Sequence, residues 1–259
     1  MPTKIVECQN WNEFKQEITL SLFGDQPLRR GMFLFRGQRN CDWKLTSSFD
    51  RWFQQQGIPE ATRISTAKQL LSLFRAELEA TQRWQGAPDD DNYALALGQH
   101  FGLPTRLLDW TESPYVAAFF AFLEAATETP AQDLPDDRVA VWALDRQSSA
   151  WSSEMGVEIV SVKSPENSRL RNQEGHFTLS RSPFPDLEAY VGFVEINRGP
   201  INTPSSLVQF TIPATEAEAA LAELDVMGVT PARLYPDIAG CVVSAKLRSR
   251  LVNIYSQLR

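Results

Sequence analysis

GLPTRLLDWTESPYVAAFFAFLEA, residues 102–125, separates two kinds of pattern in the chain. From Val116 onward it is apolar nearly all round, which predicts a helix buried on every side. Ser113 stands where an N-cap belongs and Pro114 where a first helical residue belongs. Upstream the spacing is mostly helical. Asn10 and Glu13 form a helix-start pair ahead of Trp11, Phe14 and Ile18. Ser65 opens a long helix to about Trp84, with Leu70, Leu71, Phe74 and Leu78 on one face. A short helix ends near Phe101, where Gly102 suits the stop. MFLFR (Met32–Arg36) reads as a buried strand.

Downstream, after the polar loop Ala126–Asp137, the pattern changes to strands. Arg138–Leu144, Val157–Val162, Gly175–Leu179, Tyr190–Ile196 and Ser206–Ile212 are β-rich runs bounded by Pro, Gly, Asn or Asp. Thr215 and Glu218 form a capping box for a helix ending near Gly228. A last helix runs from about Asp237 to Ser256. Segregated helices and strands predict an α+β fold. Residues 1–259 read as one domain, a helical N-terminal part packed on a mixed or antiparallel β core.

The totals narrow the function. The 259 residues are 43% hydrophobic, enough for one substantial core. No apolar run approaches the roughly 20 residues that span a bilayer, and the start lacks a signal-peptide pattern. Cys8, Cys41 and Cys241 are odd in number and far apart, which points to a reducing cytoplasm and no disulfide framework or zinc site. With two histidines, His100 and His176, no metal centre is expected. The net charge of −7 argues against a broad phosphate-backbone binder, though a small basic pocket can oppose the global charge.

Four places carry candidate chemistry. Arg36 with Gly37 reads as a structural ion pair or as an anion site, since a guanidinium forks onto phosphate or carboxylate and glycine permits close approach. His100 reads as a helix-end histidine or a functional one, and Arg106 and Asp109 as an ion pair with each other. Thr111 and Ser113 read as caps or as an anion site at a helix start, with Trp110 either filling the core or stacking on a ring. Arg169–Phe177 crowds polar residues at a strand entry, either as a solvated turn or as part of a site. Rossmann and P-loop fingerprints are missing.

In this order, these pieces resemble the FRG domain family. The resemblance is carried by Phe35-Arg36-Gly37, Gln99-His100, the run Gly102–Thr111, Ser113-Pro114, Gln173 with Gly175 and Phe177, and Leu234–Asp237 with Gly240. It covers about residues 32–240. A looser resemblance is to ADP-ribosyltransferases of the arginine-serine-glutamate type. It rests on Phe35-Arg36-Gly37 and on Thr111-Glu112-Ser113 before Ala117–Ala121. This second likeness implies an ADP-ribosyltransferase-like fold with NAD as co-substrate. It further implies Arg36, Ser113 and Gln173 as catalytic residues, with Gly37, His100, Trp110 and Thr111 helping to hold NAD. No clean Glu-x-Glu or Gln-x-Glu occurs, and Asn172-Gln173-Glu174 stands in its place. The implied role is transfer of ADP-ribose to an intracellular protein or nucleic acid, as a toxin or antiviral defence effector with a regulatory protein partner. An NAD glycohydrolase and a non-catalytic binding module remain the alternatives.

Overall fold

Seven strands form one mixed sheet in the order β1-β7-β4-β2-β3-β6-β5. The computed structural model describes residues 3–24, 29–81, 90–128, 137–162, 175–197, 205–235 and 237–257. The strands are β1 (Thr3–Glu7), β2 (Phe33–Gln38), β3 (Leu107–Thr111), β4 (Arg138–Asp145), β5 (Val157–Val160), β6 (Gly175–Ser180) and β7 (Leu207–Pro213). The helices are α1 (Trp11–Phe23), α2 (Ser48–Gln55), α3 (Arg63–Ala80), α4 (Asp91–His100), α5 (Pro114–Glu128), α6 (Leu187–Asn197), α7 (Ala217–Val226), α8 (Pro231–Leu234) and α9 (Ile238–Gln257). Among the described residues only β1 and β7 pair in parallel; the other neighbours are antiparallel. The expected α+β class and mixed sheet are what the chain adopts. No helix among the described residues is long and apolar enough to cross a membrane.

Both faces of the sheet are covered, each by a different core. On one face Phe35, Val141, Val208 and Phe210 pack under α1, α5 and α7. Further along that face Leu107, Phe177 and Leu179 meet Ala96 of α4. On the other face Leu34, Leu108, Trp110 and Trp142 pack under Leu187, Tyr190, Val191 and Val194 of α6. Helix α5 is buried as its composition requires, with Ala118, Phe119, Ala121 and Phe122 fully enclosed.

The second core corrects the reading of Tyr190–Ile196 as a strand. Its apolar residues recur at Leu187, Tyr190, Val191 and Val194, a helical spacing, and Asp186 Oδ1 accepts from Ala189 N at 2.8 Å at the helix start. The aromatic and β-branched content imitated a strand, but the bare face of the sheet needed a helix. The Thr215–Glu218 capping box is also corrected. Ala214–Glu216 makes a single 3-10 turn without a side-chain cap, and Glu216 Oε2 instead accepts from Trp11 N at 3.0 Å. The helix that follows does end before Gly228, whose φ is +80°. Strands β1 and β3 and helix α2 were not expected. LLDWT is too short, and too buried on both faces, to show alternation.

Candidate functional site

β2 and β3 share one register pair, Phe35 opposite Thr111. β2 and β4 share six, and β3 and β6 share five. The sheet therefore has a seam between β2 and β3, and a side chain bridges it. Arg36 Nη1 donates to the main-chain carbonyl of Asp109 at 2.9 Å and lies 3.8 Å from Asp109 Oδ2. The expected ion pair between Arg106 and Asp109 does not form. Arg106, one residue ahead of β3, turns to Asp50 and Ser182 instead, while Asp109 within β3 meets Arg36 and Gln99.

Helix α4 and the Pro104 turn fix the Asp109 carboxylate from the other side. Gln99 Nε2 lies 2.9 Å from both of its oxygens, and Thr105 Oγ1 donates to Gln99 Oε1. The Asp109 side chain is 64% exposed, yet protein surrounds it. Neighbouring protein nonetheless withholds part of its hydration. That desolvation pushes its pKa above the usual 3.8, against the opposing pull of Arg36 and Gln99.

A buried charge cluster holds the turn beneath. Arg106 spends its fork on Ser182 O at 2.6 Å, Phe184 O at 2.9 Å and Asp50 Oδ2 at 3.3 Å. Asp50 Oδ1 also takes Arg63 Nη1 at 2.6 Å. All three side chains are at most 4% exposed, so two buried guanidiniums share one buried carboxylate.

The expected hydroxyls do a different job. Thr111 Oγ1 accepts from Ser113 N at 3.2 Å, and Ser113 Oγ accepts from Val116 N at 3.3 Å. Both cap α5, and Thr111 is buried. Between them Glu112 receives Arg30 Nε at 2.8 Å, with Arg146 Nη1 at 3.7 Å and His176 Nε2 at 3.0 Å. Arg30 first, then His176, holds its pKa below the usual 4.5. His176 Nδ1 in turn lies 2.8 Å from Ser161 Oγ. Glu112, just after β3, and His176, in β6, lie within the singled-out stretches, but 64 residues separate them and neither shows its partner in sequence.

The other expected residues are placed as follows. Gly37 is pressed against a helix: a Cβ there would fall 1.9 Å from Ala117 O and 2.8 Å from Ala121 N of α5. Trp110 is 2% exposed, and its indole N–H donates to Thr178 Oγ1 at 3.0 Å, so it fills the core. His100 is an exposed helix end beside Phe101. Gln173 and its neighbours Asn172 and Glu174 lie outside the described residues. The structure thus brings Arg36 together with Asp109, Gln99 and Thr105, and separately joins Thr111 to Ser113.

Residues 31–129 match the family model of the FRG domain. The chain carries an FRG domain. The match runs from just before β2 to the end of α5, shorter than the stretch to Gly240 over which the sequence shows likeness. Within the FRG domain lie the Arg36, Gln99, Thr105 and Asp109 network and the buried Asp50, Arg63 and Arg106 cluster. No curated protein and no solved structure matches the chain.

Proposed function

We propose that the FRG domain binds NAD at the β2–β3 seam and transfers its ADP-ribose to a macromolecule. One observation carries this reading: a guanidinium beside a solvent-reachable carboxylate, Arg36 Nη1 3.8 Å from Asp109 Oδ2. A guanidinium suits a diphosphate. A carboxylate held in place suits the positive charge that develops on the ribose. In the step proposed, the bond from ribose C1′ to the pyridinium nitrogen breaks and its electron pair stays on nicotinamide. The acceptor nucleophile bonds to C1′ and gives up its proton to water. Asp109 stabilises the ribosyl cation and Arg36 anchors the phosphates. An ADP-ribosyltransferase-like use of the fold belongs to the same proposal. The toxin or defence role, the acceptor and a regulatory partner are implied by likeness and have no residue of this site behind them.

A second reading has its own support. Thr111 and Ser113 are spent on capping α5, Trp110 is in the core, and Gly37 faces a helix. These favour a polar network that holds the sheet together in a non-catalytic module. Incubation with NAD labelled in its adenylate, with and without cell extract, separates the readings. Label on a macromolecule that is lost in Asp109→Asn supports transfer. Free ADP-ribose supports a glycohydrolase using the same residues. Neither product, from a folded parent protein, leaves the non-catalytic module.

A further inference from the structure

The long helix α3 is amphipathic, yet it buries no apolar residue. Its face of Leu70, Leu71, Phe74 and Leu78 is half-buried, and its one buried residue is Arg63. Helices of this kind are held chiefly by packing an apolar stripe. Part of this stripe looks into a cleft of about 550 Å³, a size that suits a small molecule. Ile64, Ala67 and Leu71 of α3 form one wall. Phe49, Leu95, Leu103 and Leu179 supply apolar surface opposite.

The charge lining the cleft runs against that of the chain. Lys68, Arg75, Arg106 and Arg181 line it, with Glu79 and Asp91 as its acids. Four cations less two anions leave +2, in a chain of net −7. Two of the cations are fixed in position, Arg75 by Asp91 at 2.6 Å and Arg181 by Glu158. A concave apolar wall with local positive charge focuses anions.

We propose that this cleft is a ligand site separate from the Arg36–Asp109 pair, taking a small organic anion with an apolar body. It does not depend on the NAD reading. The cleft is linked to that pair through Thr105. Thr105 lines it and donates to the Gln99 amide that holds Asp109.

The test is fluorescence titration of the full chain with 1-anilinonaphthalene-8-sulfonate, beside the neutral N-phenyl-1-naphthylamine. The expected result is saturation at one sulfonate per chain, with the neutral ring at least about fivefold weaker, a difference of ~1 kcal/mol. Leu71→Trp fills the cleft and is expected to abolish binding with near-ultraviolet circular dichroism retained. Lys68→Glu, at an exposed rim position, is expected to weaken the sulfonate severalfold and leave the neutral probe unchanged. Sulfonate binding that survives Leu71→Trp in a folded protein overturns the site. Equal affinity for the two probes, or indifference to Lys68→Glu, overturns the anion class. Should Leu71→Trp fail to fold, the Lys68→Glu titration decides alone.

Discussion

Arg36 reaches across a seam in the sheet to the main chain of Asp109, at 2.9 Å from Nη1 to the carbonyl oxygen. A side chain there stands in for ladder hydrogen bonds that β2 and β3 do not make. The same guanidinium faces the Asp109 carboxylate, so one residue joins the architecture to the proposed chemistry.

Arg36→Lys keeps the charge but loses the planar fork. The expected cost is about 1.5–3 kcal/mol of stability, the range for a hydrogen bond to a charged group, read from urea unfolding. On the NAD proposal, calorimetric NAD binding is lost as well. Parent-like affinity and stability in Arg36→Lys would show that the fork does neither job.

Gly37→Ala places a methyl where backbone already is, 1.9 Å from Ala117 O. Neither strand nor helix can yield cheaply, so the expected loss is above ~3 kcal/mol, beyond ordinary overpacking. Gly57→Ala is the control. Its φ is +63° and nothing lies within 4 Å of the added carbon, so left-handed strain of ~1–2 kcal/mol is its whole cost. Equal unfolding midpoints for the two variants would contradict the contact with α5.

Asp50→Ala strips two buried guanidiniums of their shared partner. The expected loss is about 3–5 kcal/mol, measured by chemical denaturation with the slope compared to that of the parent. A loss under ~1 kcal/mol, no more than an exposed pair gives, would mean that Glu60 suffices for Arg63, and the carbonyls of Ser182 and Phe184 for Arg106.

Two carboxylates are expected to answer pH with opposite signs. Burial raises Asp109 above 3.8 in the fold. Its contribution is therefore favourable below the unfolded value and is lost as pH rises through the folded one. Asp109→Asn should gain on the parent in stability between about pH 3 and 7. Glu112 is held below 4.5, so its contribution is present above that value and is lost as pH falls through the folded one. Glu112→Gln should cost ~1–2 kcal/mol at pH 7 and less near pH 3. Thermal melts across that range check both, and parallel curves would refute the assignment. On the NAD proposal, parent turnover climbs with pH as Asp109 ionises.

What the sequence made legible follows from where local signals agree with tertiary need. The Asn10 cap is seen at 2.9 Å from Glu13 N, and buried α5 and strand β2 were each written in a few adjacent residues. Tyr190–Ile196 was misread because covering a sheet face is a demand made by distant strands. Arg36, Gln99 and Asp109 were all visible in the motif, but their meeting was not. Their partnership depends on a seam that no window of sequence encodes. Ser113 and Thr111 show the reverse, since plain capping, the local reading, accounts for both hydroxyls.

Gly37 has a mechanical meaning. Where helix and strand touch through side chains, either can drift as rotamers change. Where they touch backbone to backbone, no such slack exists, and the spacing acts as a gauge. Ala117 is one turn into α5, so the gauge is set close to the helix start, beside Glu112 and the end of β3. Slippage between β2 and β3 would turn α5 as a stiff lever, carrying movement at the Arg36 bridge to the far end of the helix.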